Sequence, residues 1–288
     1  MAARPRTLPA AIAPVLVGTA ASVEWAGRLP RVGAFVAALV GSIFIQIGTN
    51  LANDYSDARR GADTADRLGP VRVTSAGLVT PQRVLNATWI AFAVAIACGI
   101  YLATVAGLVI LLIGAVSIAA GVLYTGGPRP YGYAGLGEVF VFLFLGLVAV
   151  NGSYYVQLEQ LDALPLGLSI AVGFLATAIL VVNNVRDLET DRRSGKMTLA
   201  VRMGRHNAVV LYRSLVLGAF VVLPFSLVAG NSSPLPLIGL LALPMAIGPM
   251  RAMTNRTDGP SLNGALAATG ALLAVFSLLV SAGLLLAG

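Results

Sequence analysis

The chain has 288 residues, 57% of them hydrophobic and only 11% charged, with a formal charge of +7. Soluble domains carry about 25% charged residues, and the apolar stretches here are continuous rather than alternating, so the composition excludes a soluble globule and argues against a β-barrel. The basic excess sits in the connections between apolar runs, which points to membrane topology and anionic ligands and not to nucleic acid.

Nine apolar segments follow in chain order, at 8–24, 32–53, 84–103, 105–124, 136–152, 164–184, 208–230, 235–251 and 262–287. Most exceed the roughly 17 residues needed to cross about 30 Å of hydrocarbon. They predict an all-α, polytopic membrane protein of nine transmembrane helices bundled as a single membrane-embedded domain over 1–288. Pro9 and Pro14 interrupt the first segment in a way that bundled transmembrane helices tolerate. Arg4 and Arg6 precede that segment, but further spans follow, so it reads as a first span and not as a cleaved signal. Cys98 is the single cysteine and lies inside the third segment, which excludes an intrachain disulfide and suits a small buried hydrophobe.

With the N-terminus in the cytoplasm, every Lys and Arg except Arg28 and Arg31 falls in or beside a cytoplasmic segment. This satisfies the positive-inside rule. The 153–163 connection, with Glu159 and Asp162 and no basic residue, then lies outside, as does the C-terminus. The expected location is the cell (plasma or inner) membrane, with the working face toward the cytoplasm.

Two cytoplasmic connections are long, 54–83 and 185–207, and each begins with a similar motif. The first is Asn50-Leu51-Ala52-Asn53-Asp54-Tyr55-Ser56-Asp57, and the second is Asn183-Asn184-Val185-Arg186-Asp187-Leu188-Glu189-Thr190-Asp191. Spacings of three and four put Asn50, Asp54 and Asp57 on one helix face, and Asn183, Asp187 and Asp191 on another. Like carboxylates stacked on one face repel, so each set calls for a cation. Hard oxygen ligands suit Mg²⁺, which keeps waters and bridges to substrate phosphates. Around these acids stand Arg60, Arg67, Arg72, Arg129, Arg186, Arg192 and Lys196. Carboxylates with Mg²⁺ on one side and cations on the other make a diphosphate clamp. A solvated loop of mixed charge is the plainer account of most of the arginines. Asn50 and Asn183 lie one turn deeper, where an amide can orient a metal-bound water or simply join helices.

The turn 124–133 is stiffened by Gly and Pro and carries Tyr124, Arg129, Tyr131 and Tyr133. Its tyrosines suit either an interfacial belt or an aromatic wall able to stabilise an allylic cation. Glu138 opens the fifth segment and needs a partner that the sequence does not name. His206 is the single histidine, with no second His or Cys beside it, so the pattern offers no zinc site.

These motifs resemble the UbiA superfamily of intramembrane prenyltransferases across nearly the whole chain. Further stretches are similar to its 1,4-dihydroxy-2-naphthoate polyprenyltransferase branch (MenA type). They are Gly61-Ala62-Asp63-Thr64, Arg72 to Val79, Tyr124 to Tyr131, Gly135-Leu136-Gly137-Glu138 and Gly195-Lys196 followed by Thr198. The first motif departs from the superfamily's Asn-xxx-Asp-xxx-Asp, because position 58 is Ala and either Asp57 or Asp63 completes the acid set. The resemblance implies transfer of a polyprenyl group from its diphosphate to 1,4-dihydroxy-2-naphthoate, with loss of CO₂, giving demethylmenaquinone. It implies Asp54, Asp57, Asp187 and Asp191 as holders of Mg²⁺, and Asn50 and Asn183 beside them. It also implies Lys196, Arg129, Arg192 and Arg60 on the diphosphate, and Tyr124, Tyr131 and Asn53 as the wall around acceptor and cation.

Two alternatives remain open at this level. One is the same chemistry on 4-hydroxybenzoate or another aromatic acceptor. The other is a cation-coupled transporter, against which the acids lie at span ends and not near the midplane where transporter sites sit. A CDP-alcohol phosphotransferase gathers its acids in one region, unlike the distant pair here.

Overall fold

The computed structural model describes residues 7–61, 68–69 and 72–288, whose regular structure is all helical with no β-strand. The elements are α1 (Pro9–Ala26), α2 (Val32–Arg59), α3 (Pro81–Ala106), α4 (Val109–Leu123), α5 (Gly137–Leu158), α6 (Ala163–Arg186), the short α7 (Leu188–Arg193), α8 (Leu199–Ala229), α9 (Leu235–Asn255) and α10 (Gly259–Ala287). All nine apolar segments are therefore helical. Eight are long and apolar enough to cross a membrane. The fourth, α4, has 15 residues, about 22 Å at 1.5 Å per residue, which is less than the hydrocarbon thickness.

Boundaries shift where local chemistry is strong. The second segment runs on to Arg59, so the first motif is helical in full. The seventh begins at Leu199, nine residues before the apolar run, because Thr198 caps it by accepting from the Val201 N–H. Gly204, with φ 80°, breaks this helix before its membrane-crossing part.

Helix α6 is buried nearly all round, with Val172, Leu175, Ala178 and Val182 inaccessible, and packs on α1, α5, α8 and α10. A helix apolar on every side belongs at the centre of a bundle. Helix α5 passes close at Gly146 against Gly173 of α6, where a Cβ on Gly146 would come within 2.6 Å of the Gly173 Cα. Around this contact α5 loosens into a π-helical stretch, Phe142–Val148. Helices α2, α3 and α4 form a second group, joined to the first by α1 and α5.

The end of the bundle away from the motifs is tied by Arg31. Its guanidinium donates to the carbonyls of Val105 and Val156, each at 3.2 Å, and pairs with Glu159 at 2.5 Å. Its backbone exchanges hydrogen bonds with the Gln157 side chain. One of the two arginines outside the basic clusters thus brackets the ends of α3 and α5.

Candidate active site

A cavity of about 320 Å³ lies between α1, α2, α3, α4, α5 and α6. Its polar end is built by Asn50, Asn53, Asp57, Arg72, Asn183 and Lys196. Both motifs therefore open onto one space.

On α2, Asn50, Asn53, Asp54 and Asp57 are all buried. Asp54 accepts through Oδ1 from the Thr74 backbone N–H at 3.1 Å and from the Thr74 hydroxyl. Asp57 accepts from Arg72 Nη2 at 3.1 Å through Oδ2 and from the Tyr133 hydroxyl at 3.0 Å through Oδ1. Asn53 Oδ1 accepts from the Thr125 hydroxyl at 2.9 Å, and Asn50 Nδ2 donates to the Thr7 hydroxyl at 3.2 Å.

The second motif spans a junction. Helix α6 ends at Arg186, Asp187 takes φ −93° and ψ 8°, and α7 begins at Leu188. Hydrogen bonds from the Asp187 N–H to Asn183 and from the Asp191 N–H to Asp187, 3.1 and 2.8 Å, keep the three side chains a turn apart. Arg186 is buried and forks onto Asp187, with Nε and Nη2 at 2.8 and 2.6 Å from its two oxygens. It also donates to Asn183 and to Asn263 of α10, each at 2.8 Å. Lys196 Nζ lies 3.9 Å from Asp191 Oδ1.

Among the described residues, the four buried carboxylates of the two motifs meet two buried arginines and the part-buried Lys196. Buried charge is costly without a partner, so this end of the cavity attracts a further cation. Beside it stands an aromatic wall. Tyr124 and Tyr131 meet edge to face at 5.4 Å, and Tyr131 stacks on Phe140 at 3.9 Å. Burial pushes the Tyr131 phenol above its ordinary pKa, so it stays protonated and donates to the Ala120 carbonyl at 2.8 Å. Glu138 finds its partner in Asn184, whose Nδ2 donates to Oε1 at 2.9 Å.

This arrangement agrees with what the chain is similar to. The profile of the UbiA prenyltransferase family matches residues 11–272. The chain belongs to the UbiA prenyltransferase family. Proteins named 1,4-dihydroxy-2-naphthoate octaprenyltransferase are its relatives. That of Mycobacterium tuberculosis (strain ATCC 25618 / H37Rv) is 42% identical, over 98% of this chain and 94% of its own. That of Escherichia coli (strain K12) is 38% identical, over 94% and 90%. The fold is shared with a UbiA homolog from Archaeoglobus fulgidus solved with GPP and Mg²⁺, at TM-score 0.64 and 17% identity, over 97% of this chain and 98% of that one. It is also shared with a digeranylgeranylglyceryl phosphate synthase, at TM-score 0.61 and 13% identity, over 99% of each.

In this UbiA family member the structure gathers the expected Asn50, Asn53, Asp54, Asp57, Asn183, Asp187, Asp191, Lys196, Tyr124 and Tyr131 at one end of the bundle. It leaves three expected cations outside the cavity. Arg129 is exposed on its turn. Arg192 is exposed and pairs with Glu189 at 3.4 Å. Arg60 is exposed, donates to the Gly127 carbonyl and lies 5.7 Å from the Tyr133 ring centre. Asp63, the other candidate for the first acid set, lies outside the described residues, as do Arg4, Arg6 and Arg67.

The sequence reading missed the positions that hold the acids. Arg72 and Arg186 stood there as two among many loop cations, yet they are the buried partners of Asp57 and Asp187. Thr74 reaches Asp54 across twenty residues of chain, and no spacing rule announces it. The signal for Arg186 was present: it directly precedes Asp187 at the end of the long apolar helix that forms the centre of the bundle.

Proposed function

We propose that this protein transfers a long polyprenyl group from its diphosphate to 1,4-dihydroxy-2-naphthoate, with loss of CO₂ and diphosphate, giving demethylmenaquinol, the hydroquinone form of demethylmenaquinone. The reaction belongs at the cytoplasmic face of the cell membrane, with the chain acting as one membrane-embedded unit. The observation that carries the reading is identity of 38% to 42% over nearly the full chain with proteins named for that reaction.

The residues fit a divalent cation. Among the described residues Asp54 is held through Oδ1, which leaves Oδ2 for a ligand. Asp57 accepts one hydrogen bond at each oxygen, from Arg72 and Tyr133, and a carboxylate oxygen has a second lone pair for a ligand. Among the described residues no three acidic, His or Cys side chains converge on one point. Mg²⁺ does not require that, since it takes one or two carboxylates and completes its shell with waters and substrate phosphates. The Archaeoglobus homolog titled as bound to GPP and Mg²⁺ supports the same pairing. Asp54, Asp57, Asp187 and Asp191 would hold the ion, with Asn50 and Asn183 orienting its waters or a phosphate oxygen. When bound, Mg²⁺ supplies Lewis-acid stabilisation of charge on the leaving diphosphate.

The chain's own residues do the rest. Lys196 offers the diphosphate a cation from inside the cavity. Arg60, Arg129 and Arg192 provide positive charge at its approach. The bond from the prenyl carbon to the diphosphate oxygen breaks with its electron pair on oxygen. Tyr124, Tyr131 and Phe140 line the space around the allylic cation that remains, which aromatic rings can stabilise. Asn53 borders the same space. A ring carbon of the acceptor forms the new bond, and the carboxylate leaves as CO₂. The apolar walls exclude water, which would otherwise capture the cation. They also spare the tail transfer into water, at about 0.8 kcal/mol per CH₂.

The test is a transfer assay on purified protein with Mg²⁺ and a labelled polyprenyl diphosphate, offering 1,4-dihydroxy-2-naphthoate and 4-hydroxybenzoate together. The prenylated naphthohydroquinone, or the quinone it becomes on oxidation in air, is the expected product. Product from the benzoate alone overturns the acceptor assignment.

A further inference from the structure

The half of the cavity away from the motifs has a shape of its own. Gly99 of α3, Gly114 of α4 and Gly152 of α5 all line it, and a Cβ built on any of the three meets nothing within 4 Å. They share a depth: Gly99 lies seven residues before the end of α3, Gly114 five after the start of α4, and Gly152 six before the end of α5. At 1.5 Å per residue that is about 8–10 Å from the far end of each helix. Ala38 of α2 completes the ring, six residues into its helix.

Below this ring the space ends. Ala34, Leu102, Ala106, Ile110 and Val156 pack into a small apolar cluster, and Arg31 ties the chain ends beneath it. From Asn50 to Ala38, twelve residues along α2, the path is about 18 Å. An extended octaprenyl tail is longer than that. It cannot run straight on through the floor, so it must leave sideways. Helix α4 packs on α2 and α3, and no comparable packing joins it to α5. Gly114 and Gly152 stand on the two helices that flank this seam.

We propose that Gly99, Gly114 and Gly152 keep open the passage by which donor tails longer than the cavity turn out toward the bilayer, so that these three positions set the upper limit of prenyl chain length. The inference rests on the proposed prenyl transfer for what the cavity holds. Side chains at the ring would leave room for a short tail between motifs and ring, and would stop a long one there.

The test uses dimethylallyl, geranylgeranyl and octaprenyl diphosphates with the naphthoate acceptor, on wild-type protein and on Gly114→Leu and Gly152→Leu. The expected result is at least a tenfold fall in kcat/KM for the octaprenyl donor, with the dimethylallyl donor within twofold of wild type. An unchanged ratio of long to short donors overturns the proposal. A measurement on the unaltered protein stands apart from folding of the variants and from turnover. Cys98, the single cysteine, lines the same wall one residue from Gly99. A non-hydrolysable octaprenyl diphosphate analogue should slow labelling of Cys98 by a membrane-permeant thiol reagent, and a dimethylallyl analogue should not. Equal effects of both overturn the passage. Wild-type protein that makes no prenylated naphthohydroquinone or naphthoquinone under any donor would instead overturn the proposed reaction, and the Cys98 result would still decide the passage.

Discussion

Tyr133 donates its hydroxyl to Asp57 at 3.0 Å, and Lys196 stands 5.3 Å from the centre of the same ring. One side chain thus links the acid of the first motif to the cation that follows the second. The two links are of different kinds and separable. Tyr133→Phe keeps the ring under Lys196 and removes the hydrogen bond. A hydrogen bond to a charged group is worth about 1.5–3 kcal/mol, so kcat/KM should fall by about tenfold or more and Tm by a few degrees. Tyr133→Ala should also raise the KM for the prenyl diphosphate, because Lys196 loses its support. Equal kinetics for the two variants would show that only the hydroxyl matters.

Asp54 tests the cation. In Asp54→Asn the amide oxygen can still accept from Thr74, so the loop stays anchored. What is lost is the charge and the second carboxylate oxygen. Turnover should fall at least about a hundredfold, the scale of losing one preorganised contact to a developing charge, with the purified variant unfolding at a temperature near that of wild type. Excess EDTA should stop the wild-type reaction, and added Mg²⁺ should restore it. Near-normal rates in chelator would remove the ion from the account.

The apolar runs made the bundle legible, because each helix facing lipid or a neighbour must be apolar for some 20 residues. The two motifs were legible for the same reason in reverse: Asp54 and Asp187 are acids where the surrounding chain admits few. What stayed hidden were contacts between distant segments. Nothing in the stretch around Thr74 says that it folds back on Asp54, and nothing in the turn around Tyr133 separates a belt tyrosine from one bonded to Asp57. The exposed arginines mislead for a related reason. Arg129 and Arg192 carry the same charge as Arg72 and Arg186, and only packing shows which pair is buried. Helix α4 falls short of a full span because Gly107 and the turn at Tyr124 close it from both ends.

The contrast between Lys196 and Arg129 gives a third expectation. Lys196 lines the cavity beside Asp191, and Arg129 lies exposed on its turn. Lys196→Ala should raise the KM for the prenyl diphosphate by about tenfold, and that for the aromatic acid much less. Arg129→Ala should change either constant by no more than about threefold at physiological salt, since exposed charges are largely screened. Steady-state kinetics with each substrate varied in turn separate the cases. A larger effect of Lys196→Ala on the acid would move this side chain to the acceptor.

Arg186 is the position where stability and activity divide. Its fork on Asp187 is buried, and it also bonds Asn183 and Asn263, so it holds the end of α6 against α10. Arg186→Leu removes the buried guanidinium fork from Asp187, and breaking a buried ion pair in this way costs about 3–5 kcal/mol. The variant should unfold at a clearly lower temperature and show no turnover. Arg186→Lys keeps one charge and loses the planar fork, so it should be intermediate on both counts. The double variant Arg186→Leu with Asp187→Asn removes both charges together, and it should regain much of the lost stability. It should still be inactive, because the acid is then missing from the second motif. Recovery of activity with recovery of stability would mean that Arg186 and Asp187 serve the fold alone.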